Sequence, residues 1–212
     1  MYSELSLPAI LGNFIAAIHN PNNISSESSW VGAFLEEEAI KDLATMLFYY
    51  REKAQGHFTS CGTVANIEAL WRARYSNDHF LSLGTYLNIH HQLRLSYFES
   101  CHMGWNKFYE YLKKYSIQEI ELKKYSYVFV GPWKIQEIYR EAFGKDFQGS
   151  AILVPNSKHY SWLKAVSLLG LGDLNFVGVE LSEKGSVNVE DLASKIENIK
   201  KQDIPILMNV SI

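Results

Sequence analysis

The chain is poor in the features that mark several protein classes. Its 212 residues include only two cysteines, Cys61 and Cys101, far apart in sequence. That excludes a disulfide-stapled scaffold and a CxxC zinc site, and no metal ligands are assigned. Neither sign of charge dominates: 20 Lys and Arg stand against 23 Asp and Glu, a formal net charge of −3. The balance gives no general pull toward nucleic acid or an anionic membrane. No apolar run approaches the roughly 18 residues that a membrane-spanning helix needs. The N-terminus lacks the basic-then-apolar layout of a secretory signal, so a cytoplasmic chain is expected. What is present in quantity is hydrophobic and aromatic, 47% and 14%, with charged residues at 20%. This composition argues for a packed fold and against disorder.

Periodicity sets out the order of elements. Leu7, Ile10, Leu11, Phe14 and Ile18 fall at helical spacing, and Asn20-Pro21-Asn22-Asn23 stops that helix. The serine-rich stretch from Ile24 to Trp30 reads as an ordered loop. A second helix is predicted over about Phe34–Tyr50, with Glu36, Glu37 and Glu38 in its first turn. His57-Phe58-Thr59 reads as a short strand, followed by a small-residue turn and a helix opening near Gly62 and running to Arg74. Residues 75–149 are rich in aromatics and read as mostly helical. The α/β rhythm then takes over: a buried strand at Ala151–Val154, a helix over Tyr160–Leu169, and a strand at Phe176–Val179. An amphipathic helix capped by Asn188 follows, and a last strand lies at Ile206–Val210. Alternating strands and helices predict a mainly parallel sheet flanked by helices.

Two stretches carry chemistry. Thr59-Ser60-Cys61-Gly62-Thr63-Val64-Ala65-Asn66 puts small residues and hydroxyls where a helix begins. The N–H groups and dipole of such a helix start favour an anion, typically phosphate. On the residues alone, the competing reading is that Ser60 or Thr63 merely caps the helix. In Val154-Pro155-Asn156-Ser157-Lys158-His159-Tyr160-Ser161-Trp162-Leu163-Lys164-Ala165, His159 follows a buried strand and precedes a helix. It should therefore sit at the carboxyl edge of the sheet, where open α/β sheets bind ligands. Its competing reading is a histidine satisfied by neighbouring backbone, and Lys164 reads as a helix-surface cation.

Taken together, the stretches resemble a known family. Thr59 to Asn66 resembles the T-S-G-G-T-x-A-N phosphate cup of the pyridoxal-phosphate-dependent group II amino-acid decarboxylases, and Ile67–Arg74 continues the likeness. Val154–Ala165 is similar to the V-P-x-x-K-H-Y-S-W-L-K-A segment of the bacterial tyrosine decarboxylases within that family. Asn20-Pro21-Asn22-Asn23, Glu27-Ser28-Ser29 and Glu36-Glu37-Glu38 fall where that subgroup has N-x-N-N, E-S-S and E-E-E. Residues 75–149 correspond to an insertion the subgroup carries. The sequence departs from the pattern at Cys61, where Gly is usual, at Trp30, where Pro is usual, and at Ala33, where a hydroxyl residue is common.

The resemblance implies the aspartate-aminotransferase-like fold type I architecture, here a partial large domain over residues 1–212. It implies pyridoxal 5'-phosphate as cofactor, with Cys61, Gly62 and Thr63 lining its phosphate and His159 stacked on its ring. The implied reaction is decarboxylation of a tyrosine-like or glutamate-like amino acid, in an enzyme whose members are homodimers with the active site at the interface. None of the lysines matches the family's Schiff-base motif. The likeness places Met1-Tyr2-Ser3-Glu4 after the family's wrapping arm, and places the Schiff-base lysine and the pyridine-pairing aspartate beyond Ile212. The expectation is therefore an internal portion of a decarboxylase, inactive alone. The alternative is a non-catalytic remnant or split-gene subunit that binds a partner, such as a complementing downstream chain.

Overall fold

The computed structural model describes residues 4–210, so the alignment of Met1-Tyr2-Ser3 and the chain end at Ile212 lie outside the described residues. The chain divides between Ser60 and Cys61 into two compact units. Among the described residues no helix is long and apolar enough to cross a membrane.

The first unit is helical. Helix α1 (Leu7–His19) starts at Ser6, whose hydroxyl accepts from the Ala9 N–H, and ends at Asn20 in the left-handed conformation. None of its residues is buried, although Leu7, Ile10, Leu11, Phe14, Ile15 and Ile18 are all apolar. Helix α2 (Trp30–Met46) starts four positions before the predicted Phe34. Ser29 nucleates it by accepting from the Gly32 N–H at 3.3 Å. A side chain at Gly32 would collide with Asn23 Oδ1 and Ser29 Oγ, so the asparagine and serine motifs meet on this glycine. Trp30 takes the first helical position, where a proline loses nothing because that N–H has no intrahelical partner. Glu36, Glu37 and Glu38 consequently lie in mid-helix and not in the first turn, which corrects the sequence reading. There they make side-chain pairs: Lys41 with Glu37 at 2.8 Å, and Arg51 with Glu38 at 2.6 Å and with Asp42. Glu36 Oε1 accepts from the Phe58 N–H at 2.6 Å. That bond holds His57-Phe58-Thr59 as extended coil; the strand predicted there does not form.

The second unit is built on α3 (Gly62–His91), a helix of 30 residues and not one ending at Arg74. The apolar stripe continues past Arg74 through Phe80, Leu81, Leu83 and Leu87, all buried. Of the polar residues in this stretch, Asn77 and Asp78 are buried and bonded, Asn77 with Ser150. Asp78 accepts from Ser126 Oγ at 2.6 Å and from the Val128 N–H at 3.3 Å. Burial pushes the Asp78 carboxyl up, against the pull of the Ser126 bond. Around α3 pack α4 (Tyr97–Cys101), α5 (Gly104–Tyr115), α6 (Glu119–Leu122), α7 (Tyr127–Val130) and α8 (Gln136–Phe143), the mostly helical stretch expected. Two aromatic-rich cores form there, one centred on Phe108 and Leu112, the other on Tyr97 and Tyr139. The buried tyrosines keep their hydroxyls satisfied: Tyr139 donates to the Tyr125 carbonyl and Tyr97 to that of Lys145. Burial also pushes the Cys101 thiol up, so this cysteine is packing material.

Strand β1 (Ala151–Pro155) follows, then α9 (Ser161–Leu168), β2 (Phe176–Val179), α10 (Val189–Lys201) and β3 (Ile206–Asn209). The sheet order is β2-β1-β3, and both pairings are parallel. Ile152 aligns with Phe176 on one side and Met208 on the other, with a register irregularity between Ala151 and Ile152. All five residues of β1 are buried. Alternate side chains go to opposite faces. Ile152 and Val154 pack with Leu70 of α3 and with Trp162, Ala165 and Val166 of α9. Ala151 and Leu153 pack with Val179 and with Ile199 of α10. This is helix–sheet–helix layering of a parallel sheet, the α/β class expected.

Asp203 ties the two parts of this unit together. It accepts from the Phe98 N–H at 2.8 Å and the Tyr97 N–H at 3.2 Å, and pairs with Lys145 at 3.0 Å. Burial raises its carboxyl, but the Phe98, Lys145, Ser96 and Tyr97 donors outweigh burial and hold it below the usual range. A depressed carboxylate contributes stability above its unfolded value of about 3.9, lost as pH falls through the folded value. Asp203→Ala is therefore expected to lower the denaturant midpoint at pH 7. The gap to the parent should close on acidification below about pH 4.

Candidate functional site

The site expected from the sequence lies at one edge of the second unit. Cys61 is the residue that caps α3. Its backbone is extended, φ −168° and ψ 166°, a conformation any residue adopts. Position 61 therefore imposes no need for glycine, which accounts for a cysteine standing there. No side chain caps the helix. Neither Ser60 nor Thr63 plays the capping part that the plainer sequence reading gave it. Ser60 lies one residue before the cap, and Thr63 is already inside the helix. The Cys61 carbonyl accepts the first intrahelical bond, from the Ala65 N–H at 3.1 Å. The N–H groups of Gly62, Thr63 and Val64 thus point out of the helix start without an intrahelical acceptor.

Gly62 is exposed, and a Cβ built there meets nothing within 4 Å. Its φ is not in the left-handed range, so no turn conformation demands glycine. Glycine leaves the side-chain position bare at the first residue of the helix, the positive end of its dipole.

His159 sits in the turn between β1 and α9, at the carboxyl edge of the central strand. The turn is tight, with the Lys158 N–H bonded to the Pro155 carbonyl at 2.9 Å and the Trp162 N–H to the His159 carbonyl at 3.2 Å. The imidazole is exposed and leans on Tyr160, ring centroids 4.2 Å apart. It is not held by neighbouring backbone alone. Its Nδ1 lies 2.8 Å from Ser161 Oγ and 3.3 Å from the Ser161 N–H. Ser161 is fully buried, and its Oγ in turn accepts from Asn66 Nδ2 at 2.7 Å. Asn66 lies one turn into α3 beyond Gly62. Two bonds thus link the helix that starts at Gly62 with the imidazole at 159, and the two motifs occupy one edge. Sequence reasoning quoted Asn66 and Ser161 without giving them a part. The available signal was a polar side chain at each, beside the phosphate-cup glycine and beside the histidine. Lys164 is a surface cation, its Nζ 4.6 Å from the Tyr160 ring centroid.

Two cavities, of about 470 and 440 Å³, open elsewhere in the second unit. One is lined by Asp78, Ser82 and Phe129, the other by Arg74, Trp133 and Asn175. Neither is lined by Cys61, Gly62, Thr63 or His159. Gly62 and His159, at the α3–α9 edge, are exposed.

A substitution separates the architecture of this edge from its chemistry. Gly62→Ala is expected to leave stability within about 1 kcal/mol of the parent, since alanine is a better helix former and has room. Urea unfolding of the two proteins checks this.

No family model matches the chain. It is 28% identical over 214 residues to the L-tyrosine decarboxylase of Enterococcus faecium, covering 100% of this chain and 32% of that protein. With the L-tyrosine decarboxylase of Levilactobacillus brevis it shares 29% identity over 210 residues, covering 98% and 30%. The chain therefore spans about 30% of the length of these curated relatives. Among solved structures it is similar to mouse CSAD in apo form, with a TM-score of 0.59 at 20% identity over 98% of this chain and 31% of that one. It is also similar to the glutamate decarboxylase domain of diaminobutyrate-pyruvate transaminase and L-2,4-diaminobutyrate decarboxylase from Vibrio parahaemolyticus. That match has a TM-score of 0.57 at 17% identity, over 96% of this chain and 33% of that one. The chain is thus similar over its length to about a third of an L-tyrosine decarboxylase, and its fold, a partial α/β domain with a parallel sheet between helices, is similar to about a third of these solved decarboxylase structures.

Proposed function

We propose that the chain is a cofactor-cradling portion of a cytoplasmic, pyridoxal-phosphate-dependent amino-acid decarboxylase acting on a tyrosine-like or glutamate-like substrate. One observation carries the reading: the Asn66–Ser161–His159 bonds put the start of α3 and the imidazole on one edge. The local chemistry fits the cofactor. The Gly62, Thr63 and Val64 N–H groups, at a helix start with no side-chain cap and an exposed glycine, suit a phosphate. Cys61 supplies an extended entry to the helix, and the Thr63 hydroxyl stands beside the same N–H groups. The exposed imidazole of His159 offers a flat face for an aromatic ring. When bound, pyridoxal phosphate supplies an electron-poor ring that accepts the electron pair left as the carboxylate departs. The chain's own part is to bind, to orient and to keep the imidazole at a fixed angle.

In this reading the isolated chain does not turn over, because none of its lysines matches the family's Schiff-base motif. Titration of the purified chain with pyridoxal 5'-phosphate, followed by tryptophan quenching, is expected to saturate. No CO2 release is expected above the protein-free cofactor control with tyrosine or glutamate. Gly62→Asp puts a carboxylate in front of the N–H groups. It should leave the fold intact or slightly more stable, as an acid in a first helical turn does. It should weaken cofactor binding by roughly tenfold or more, about 1.4 kcal/mol. Equal affinity in parent and variant would remove the phosphate from this edge.

A second reading, a subunit that serves a partner chain without its own chemistry, is favoured by the exposed apolar side chains of α1. An apolar surface of this kind marks an association site. The family's homodimer is the first partner to test. Sedimentation velocity should then show concentration-dependent association, reduced by Phe14→Asp.

A further inference from the structure

Ser161 and Asn66 can be taken beyond adjacency, because their hydrogens can be assigned. The amide nitrogen of Asn66 only donates, so Ser161 Oγ accepts from it at 2.7 Å. The hydroxyl hydrogen of Ser161 is then available for its other neighbour, His159 Nδ1, at 2.8 Å. The Ser161 backbone N–H, which also only donates, approaches the same Nδ1 at 3.3 Å. A hydrogen on Nδ1 would face that N–H head-on, whereas a lone pair there accepts from both donors. We infer that Asn66 and Ser161 are positioning residues that hold neutral His159 as the tautomer with an acceptor Nδ1 and the hydrogen on Nε2, fixing the ring plane at the α3–α9 edge.

Two features make this more than local packing. Ser161 is fully buried and opens α9, so its donors do not move with the surface. Asn66 belongs to the same helix as the Gly62, Thr63 and Val64 N–H groups, so one rigid element sets both the anion donors and, through Ser161, the imidazole plane. A ring on a turn would otherwise rotate about its side-chain torsions and exchange tautomers. Held in this way, it presents one face and one N–H in a constant direction. The use of that face for the cofactor ring rests on the function proposed above; the tautomer does not.

The experiment is a long-range 1H–15N correlation spectrum of the full chain with 15N-labelled histidine, at alkaline pH where imidazole is neutral. The parent is expected to show the His159 Nε2–H tautomer alone. Ser161→Ala and Asn66→Ala should each introduce the Nδ1–H form, while Ser161→Thr, which keeps the hydroxyl, should restore the parent pattern. Far-UV circular dichroism of each variant registers any loss of fold, and Ser161→Thr keeps the comparison available if Ser161→Ala unfolds. A parent already mixed in tautomer, or an Ala variant unchanged from it, overturns the inference. Pyridoxal 5'-phosphate titration of the same samples separates the two ideas. Affinity lowered roughly fivefold in both Ala variants, the equivalent of about one neutral hydrogen bond, supports both. Absence of cofactor binding by the parent overturns the function and leaves the tautomer assignment to the spectra. Cofactor binding with no tautomer change in Ser161→Ala overturns the positioning role alone.

Discussion

Everything at the α3–α9 edge depends on the burial of β1. A strand whose five residues are all buried must be covered on both faces, because its apolar side chains project alternately to each. Ile152 and Val154 recruit α3 and α9; Ala151 and Leu153 recruit α10. Once α3 and α9 share one face of the same strand, their N-terminal ends can meet at its carboxyl edge. The Asn66–Ser161–His159 bonds are the result. The polar link at the surface is therefore a product of apolar demands beneath it, and Leu70 and Trp162 matter to the site without touching it.

Much of this was legible in the sequence where the physics is local. The run Ala151–Val154, ended by Pro155, reads as a buried strand and is one, and Phe176–Val179 was placed to the residue. Asn188 caps α10 as read, accepting from the Glu190 and Asp191 N–H groups. The likeness of residues 59–66 and 154–165 to the decarboxylase motifs gave the fold class before any coordinates. The readings that failed did so where a distant partner overrides local signals. The Glu36–Glu38 run looks like the acidic start of a helix. Ser29, with Asn23 against Gly32, starts α2 earlier, and the glutamates find Lys41, Arg51 and the Phe58 N–H instead. His57–Thr59 has strand-like residues but forms no strand; the Phe58 N–H is bonded to Glu36 instead. The helix read as ending at Arg74 continues because Asp78, beyond it, is buried and bonded to Ser126 and Val128, a partnership no sequence window contains.

The three departures from the family pattern carry different weight. Cys61 sits in an extended conformation open to any residue, so it costs the backbone nothing. Trp30 occupies a first helical position where proline is favoured but not required. Nothing in the structure explains Ala33. The backbone that opens α3 thus takes its extended entry with cysteine as readily as with glycine.

The unbroken length of α3 has one more implication. At 30 residues it is a rod of about 45 Å. It is seated at two places: Leu70 packs against β1 and α9, and Phe80, Leu81, Leu83 and Leu87 pack into the two aromatic-rich cores. One unbroken helix therefore belongs to both the sheet's packing and the aromatic cores of residues 75–149, so a cavity opened around Phe108 or Tyr139 acts on the same element that carries Gly62 and Asn66.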